Sequence, residues 1–298
     1  MKIVIVGGTG FVGKQLVSDL SNENEVLILT RGETKEDKKV KYLKWNPYEQ
    51  DINFLAGVIS GYDAVINLAG ESIANKRWSR KEKDLILKSR IISTRYIIDA
   101  IEKAEERPKI LVNSSAIGYY KKNTNEELNE NSGVGTDFLS KTCIMWENEA
   151  MKAAKFRVNV SIIRTGIVIG KGGILERLDK LVKYGFSAYE KDQWLSWIDL
   201  QDLSDMIRFI IYKNLKGPFN AVSPNPIQMS EFFSILAEIE RKKRLINIPS
   251  SFINLLLGDM ARLLVFSSQR VVPKNAIDYG FSFKNTDIRK VLLKYLKA

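Results

Sequence analysis

The chain has 298 residues, 45% of them hydrophobic and 27% charged, with 46 Lys and Arg against 35 Asp and Glu for a formal charge of +11. Such a chain suits one large globular domain or two modest ones, and seven prolines with nineteen glycines exclude collagen-like, mucin-like and wholly disordered classes. It holds no histidine and one cysteine, Cys143, which excludes Ser-His-Asp triads, Cys-His dyads, HExxH zinc sites and internal disulfides, so no metal site is expected. The most apolar stretch, Phe252 to Phe266, is broken by Gly258, Asp259 and Arg262, so no membrane span is expected. The N-terminus lacks a basic-then-apolar leader pattern, which predicts a cytoplasmic protein. Its lysines are spread thinly beside glutamates, as in Lys81-Glu82-Lys83, and no basic stripe is interleaved with aromatics, so nucleic acid is not an expected partner.

The hydrophobic pattern places a buried parallel strand over Met1 to Val6 and a helix over Phe11 to Leu20. Strands follow at Glu25 to Leu29, Val40 to Leu43 and Asp63 to Leu68, then a long helix from about Ser79 to Ala104, ended by Pro108. Lys109 to Asn113 reads as a strand, Asp137 to Lys155 as a helix and Asn159 to Arg164 as a strand. This alternation specifies an α/β doubly wound parallel sheet. Beyond Gly166 the pattern loosens: helices near 175–184, 200–212 and 230–239, strands at 194–198 and 217–222, and a helical end from Phe252 with a turn at Gln269 to Pro273. Residues 1–170 are expected to form the dinucleotide-binding domain, with 194–215 returning to it, and 171–298 a smaller α+β lobe on the substrate side. Trp194, Trp197 and Phe209 read as core or lobe interface.

Between the first strand and helix stands Gly7-Gly8-Thr9-Gly10-Phe11-Val12-Gly13. In that context Gly7 permits a tight turn, Gly10 close approach to a pyrophosphate and Gly13 close helix–strand packing, while the helix N-terminus attracts phosphate. Gly7, Thr9, Gly10, Phe11, Val12 and Gly13 are therefore candidate cofactor residues. At the end of the second strand, where an NAD site places Asp or Glu, this chain has Thr30-Arg31-Gly32. A guanidinium there suits a 2′-phosphate, so NADP(H) is expected over NAD, the bland alternative being a solvated strand-end arginine.

The glycine spacing, together with Asn67-Leu68-Ala69-Gly70, resembles the short-chain dehydrogenase/reductase superfamily in its extended branch. Glu71-Ser72-Ile73, Arg77-Trp78, Ser89-Arg90, Ser114 to Tyr120, Asp137-Phe138-Leu139, Cys143, Trp146-Glu147, Leu257 to Met260 and Gln269 to Pro273 narrow the likeness to its atypical "epimerase family protein" group. That resemblance implies that Leu68, Ala69 and Gly70 line the adenosine side and that Ser115 stands where the superfamily keeps a substrate-orienting hydroxyl. It also implies a two-fold dimer through the long helix, where Leu85, Ile86, Ile92, Tyr96 and Ile97 offer apolar surface.

The superfamily's Tyr-x-x-x-Lys pair is missing: alignment on Glu147 puts Leu139 at the tyrosine position and Cys143 at the lysine position. Lys141, two residues from Leu139, points ~200° away at ~100° per residue. The remaining catalytic candidates are Ser115, Tyr119, Tyr120, Glu71 and Cys143, the last also readable as a small packing residue. Ser114-Ser115 reads alternatively as loop capping. Arg77, Trp78 and Arg270 are substrate-side candidates or structural residues. The expected activity is that of an oxidoreductase or nucleotide-sugar epimerase-like protein on a small polar substrate, anionic or a nucleotide sugar. Its rival is a non-catalytic NADPH-responsive binding protein.

Overall fold

The computed structural model describes residues 1–37, 40–74, 76–123 and 125–297. In chain order the first half runs β1 (Lys2–Val6), α1 (Phe11–Leu20), β2 (Glu25–Thr30), β3 (Lys35–Asp37), β4 (Val40–Lys44), α2 (Ile52–Ile59), β5 (Ala64–Asn67), α3 (Arg80–Lys103) and β6 (Ile110–Ala116). It continues with β7 (Glu127–Leu128), α4 (Phe138–Met151), β8 (Asn159–Thr165) and β9 (Ile167–Ile169). Then come α5 (Gly173–Lys183), β10 (Phe186–Ser187), β11 (Trp194–Leu195), β12 (Trp197–Asp199), α6 (Leu200–Tyr212) and β13 (Gly217–Ala221). The chain closes with β14 (Ile227–Gln228), α7 (Met229–Ile239), β15 (Ile246–Asn247), α8 (Ser250–Leu257), β16 (Arg270–Val271), α9 (Lys274–Asp278) and α10 (Ile288–Leu296).

The central sheet has the order β13-β8-β6-β5-β1-β2-β4-β3, all parallel except β3, which pairs antiparallel with β4. Its central strands β1, β2 and β5 are nearly continuous buried apolar runs because both faces are covered. On one face α1 and α6 bury Leu16, Leu20, Met206, Ile207 and Ile210 against Ile3, Ile5 and Ile28. On the other, α2, α3 and α4 bury Leu55, Ile59, Ile97, Ile101 and Ala150 against Val4, Val65 and Leu111. A separate core of Leu175, Trp197, Phe232, Phe233 and Leu292 joins α5, β12, α7 and α10. The outermost strand β13 comes from beyond residue 215 and pairs with β8 in register, Phe219 opposite Ile163.

Local signals explain the long elements. Ser79 caps α3, its hydroxyl accepting from the Glu82 N–H, and Asp137 caps α4 by accepting from Leu139 N and Ser140 N. The helix expected to run to Lys155 stops at Met151; a 3₁₀ turn follows and ends on Arg157, a non-glycine residue at φ 64°. The strand expected at 194–198 is two, because Ser196 turns its carbonyl to the Ile167 N–H and its hydroxyl to the Gln269 carbonyl. β11 then pairs antiparallel with β14 and β12 parallel with β9. Neither β3 nor α2 is marked by the pattern of the sequence. The apolar residues of α3 are largely used within the chain: Ile86 and Ile97 are fully buried, while Leu85 stays exposed. α2 and α4 flank this helix. Among the described residues no helix is long and apolar enough to cross a membrane.

Candidate functional site

In the sheet order β1 is the point of reversal, with β2 on one side and β5 on the other, and open parallel sheets bind ligands outside the carboxyl ends of strands at such a point. The loops that follow these strands carry Gly7 to Gly13, Arg31 and Leu68 to Gly70. Gly7 has φ +83°, and an added Cβ there would stand 3.0 Å from the Leu68 carbonyl. At Gly13 it would stand 2.5 Å from Gly7 O and 2.7 Å from Gly8 Cα, so only glycine lets the first turn of α1 lie on the loop. Gly10 is the extended N-cap residue and supplies no capping side chain, which leaves the first N–H groups of α1 open to an anion.

A cleft of about 460 Å³ opens here, lined by Gly7, Thr9, Gly10, Thr30, Arg31, Leu68, Ala69, Gly70, Glu71, Ser89 and Ser93. Its far wall, Trp45 to Tyr48, was not foreseen: it follows β4, the strand next to the sheet edge, and carries no motif. Trp45 is buried, and among the described residues its Nε1–H has no hydrogen-bond partner. Arg31 is exposed, and its neighbour Thr30 accepts the Gly32 N–H on Oγ1 at 3.2 Å, which shapes that turn. Phe11 turns its ring away from the cleft to pack under Gly170 and Gly173, so it and Val12 offer backbone N–H groups rather than side chains. On the β5 side, Asn67 Oδ1 accepts from Ala69 N at 3.1 Å while its Nδ2 donates to Asn113 Oδ1 and Thr94 Oγ1, which fixes the turn at Leu68 to Gly70.

At the end of β6, Ser115 Oγ donates to Glu147 Oε1 at 2.6 Å. Glu147 is also held by Arg164, whose Nε and Nη2 reach its two oxygens at 3.0 and 2.8 Å, and all three residues are buried. Burial alone would lower the pKa of Arg164, but the Glu147 carboxylate overrides it and drives the value up. Arg164 Nη1 donates to Tyr120 Oη at 2.9 Å, and Tyr120 donates onward to Asn220 Oδ1 at 2.7 Å. Tyr120 is thus a core residue and not, as its place beside Tyr119 suggested, a side chain at the cleft; burial pushes its phenol up to about 12. Tyr119 lies half-buried with its ring 3.5 Å from the Arg164 guanidinium carbon.

The residues at the Tyr/Lys positions are packing residues. Leu139 and Cys143 abut the turn 117–119, where an added Cβ on Gly118 would stand 3.4 Å from Leu139 Cβ and 3.9 Å from Cys143 Sγ. Burial first and the Glu147 charge second push the Cys143 thiol up to about 11. Trp78 is buried among Ile86, Leu139 and Met260, its Nε1 donating to the Ile73 carbonyl. Arg77 is exposed beside Gly258. Arg270 does not reach the cleft: it stacks on Trp194 and pairs with Glu127 at 3.6 Å. Glu71 does line the cleft, its N–H donating to Ser89 Oγ at 3.1 Å. Glu147 and Arg164 escaped the site reading, since partners 17 to 44 residues distant along the chain leave no local pattern.

The model of the NAD dependent epimerase/dehydratase family matches residues 3–221, the span of the sheet, and a domain of unknown function, DUF1731, matches 248–294. The chain belongs to that family. The epimerase family protein YfhF of Bacillus subtilis is 34% identical over 302 residues, covering 98% of this chain and 97% of that protein. The chloroplastic epimerase family protein SDR39U1 homolog of Arabidopsis thaliana is 33% identical, covering 98% of this chain and 86% of that protein. The structure of human epimerase family protein SDR39U1 (isoform 2) with NADPH is similar at TM-score 0.86 and 25% identity, covering 100% of this chain and 99% of that one. The likeness to the epimerase group of the extended short-chain dehydrogenase/reductases therefore holds across the chain.

Proposed function

We propose that the cleft binds NADP(H) and that the protein acts as an oxidoreductase or epimerase on a small polar substrate, a nucleotide sugar or another anion among the candidates. The single observation that carries this reading is the glycine cradle at the switch point, opening into a cleft of about 460 Å³ with Arg31 at one end. The residues fit the cofactor: the N–H groups at the start of α1 suit the pyrophosphate and Arg31 a 2′-phosphate. The human relative carries NADPH. When bound, such a cofactor supplies the hydride chemistry.

The chain's own part is to orient the substrate and handle a proton. With Leu139 in place of tyrosine, the resemblance leaves Ser115 as the substrate-orienting hydroxyl, and Glu147 Oε1 accepts from it at 2.6 Å. Ser115 then turns its lone pairs away from Glu147 and accepts from a substrate hydroxyl; a proton gained there is matched by one passed to Glu147. The test is turnover of a panel of nucleotide sugars and carbonyl compounds with NADPH and NADP⁺. Turnover that falls at least about 100-fold in Ser115→Ala supports the reading, and turnover untouched by it refutes the role of Ser115.

The second reading, an NADPH-responsive binding protein without turnover, is favoured by one observation: Ser115, Leu139 and Cys143 are all buried. NADPH binding with no turnover on the panel, together with a protein partner captured only in the presence of NADPH, selects it.

A further inference from the structure

Arg90 lies in the middle of α3, half-buried, with its guanidinium beside Gly70, a residue of the cleft wall. The contact is close: an added Cβ on Gly70 would stand 3.2 Å from Arg90 Cζ and 3.3 Å from Nη2. Behind it the Trp146 ring offers its face, 5.1 Å from Cζ to the ring centroid. That ring is fixed in turn, Trp146 Nε1 donating to Thr94 Oγ1 at 2.9 Å, the same oxygen that accepts from Asn67. Among the described residues, the Arg90 guanidinium makes one hydrogen bond, Nη1 to the Ile86 carbonyl at 2.9 Å, and no salt bridge. The charged and titratable groups facing it are Glu71, across the cleft lip, and the Cys143 thiol on α4. Burial lowers its pKa against the pull of both, as for a cation whose counter-charge is incomplete.

A rigidly held guanidinium with its Nε and Nη2 donors free of protein acceptors is a site prepared for an anion or for hydroxyl oxygens. Its flanking residues Gly70, Ser89 and Ser93 line the cleft. It stands near Cys143, the position that the resemblance gives to the missing lysine. Resting on the reading of the cleft as an NADP(H) site, we propose that Arg90 binds the nicotinamide-nucleotide half of the cofactor, through the phosphate and ribose hydroxyls of that half. It thereby supplies from α3 the cation that α4 lacks. Arg31 and Arg90 then hold the two ends of one dinucleotide.

The test compares two ligands by calorimetric titration: NADPH, and 2′,5′-ADP, which carries the adenosine half alone. Wild type, Arg90→Gln and Arg90→Lys are measured after circular dichroism and thermal melting have shown that each is folded. Arg90→Gln should weaken NADPH roughly 10- to 100-fold, leave 2′,5′-ADP within about 2-fold, and Arg90→Lys should recover part of the loss. Equal losses for both ligands mark a merely structural Arg90 and overturn the proposal, as does unchanged NADPH affinity. A variant that fails to fold counts for a structural role and against the proposal unless Arg90→Lys folds and shows the selective loss. If wild type binds 2′,5′-ADP and NADPH equally, the nicotinamide half has no site here and the proposal falls alone; if wild type binds neither, the reading of the cleft falls with it.

Discussion

Replacing Gly13 by alanine places a methyl carbon 2.5 Å from Gly7 O and 2.7 Å from Gly8 C and Cα, all backbone atoms that cannot swing aside. Ordinary contact begins near 3.4 Å, so the first turn of α1 must move about 0.9 Å off the loop. Overpacking of this kind costs ~1–3 kcal/mol, and the better helix propensity of alanine returns ~1 kcal/mol. The expected net loss is ~0–2 kcal/mol, a fall in Tm of up to ~8 °C for a chain of this size. The same movement displaces the N–H groups at the start of α1, so NADPH affinity should fall at least ~10-fold, a change that a loss of stability alone does not bring while the chain stays folded. Gly57 in α2 is the control: it is exposed, an added Cβ meets nothing within 4 Å, and Gly57→Ala should stabilise by up to ~1 kcal/mol with NADPH affinity unchanged. Thermal melts and NADPH titration of the two variants give both numbers. If Gly13→Ala melts and binds as wild type does, the argument that the cradle depends on this close approach is refuted.

Arg164→Met, which strands the buried Glu147 carboxylate, should cost ~3–5 kcal/mol in urea unfolding; a loss under 1 kcal/mol contradicts the buried pair. Tyr120→Phe should lose ~1–3 kcal/mol from its donor and acceptor contacts yet leave NADPH affinity intact, as befits a residue away from the cleft. With its thiol raised from 9.0 to about 11, Cys143 should react with iodoacetamide at neutral pH at least ~100-fold more slowly folded than in urea; equal rates contradict its burial. Asp137 is depressed below 3.8: burial raises it, but Lys122 and the capped N–H groups override that. Its contribution is therefore fully present above the unfolded carboxyl value and lost as pH falls through the folded one. Asp137→Asn should accordingly flatten the loss of stability below about pH 4 while costing ~0.5–2 kcal/mol at neutral pH.

What was legible in the sequence followed from local rules. The glycine spacing works because Gly7 and Gly13 meet within one turn, and the caps Ser79 and Asp137 act on N–H groups two or three residues away. The alternation of β-branched runs with helices carried the sheet because both of its faces are covered. What was not legible depended on partners far along the chain. Glu147 and Arg164 stood in the sequence as a helix residue and a strand end; the pairing of β6 with β8 sets Arg164 opposite Ser115, and the packing of α4 on β6 brings Glu147 to it. The wall at Trp45 to Tyr48 follows a strand whose polar and apolar residues mix, since β4 lies near the sheet edge. Tyr120 and Arg270 misled for the same reason: a side chain's direction at a turn or strand end is set by what packs there, Asn220 in one case and Trp194 in the other.

The most direct test of the account is calorimetric titration of wild type and Arg31→Ala with NADPH and NADH. The account expects wild type to bind NADPH at least ~10-fold more tightly than NADH, with Arg31→Ala reducing NADPH to the level of NADH. Tighter binding of NADH, or NADPH affinity indifferent to Arg31, contradicts the choice of cofactor, and no binding of either nucleotide contradicts the cleft itself.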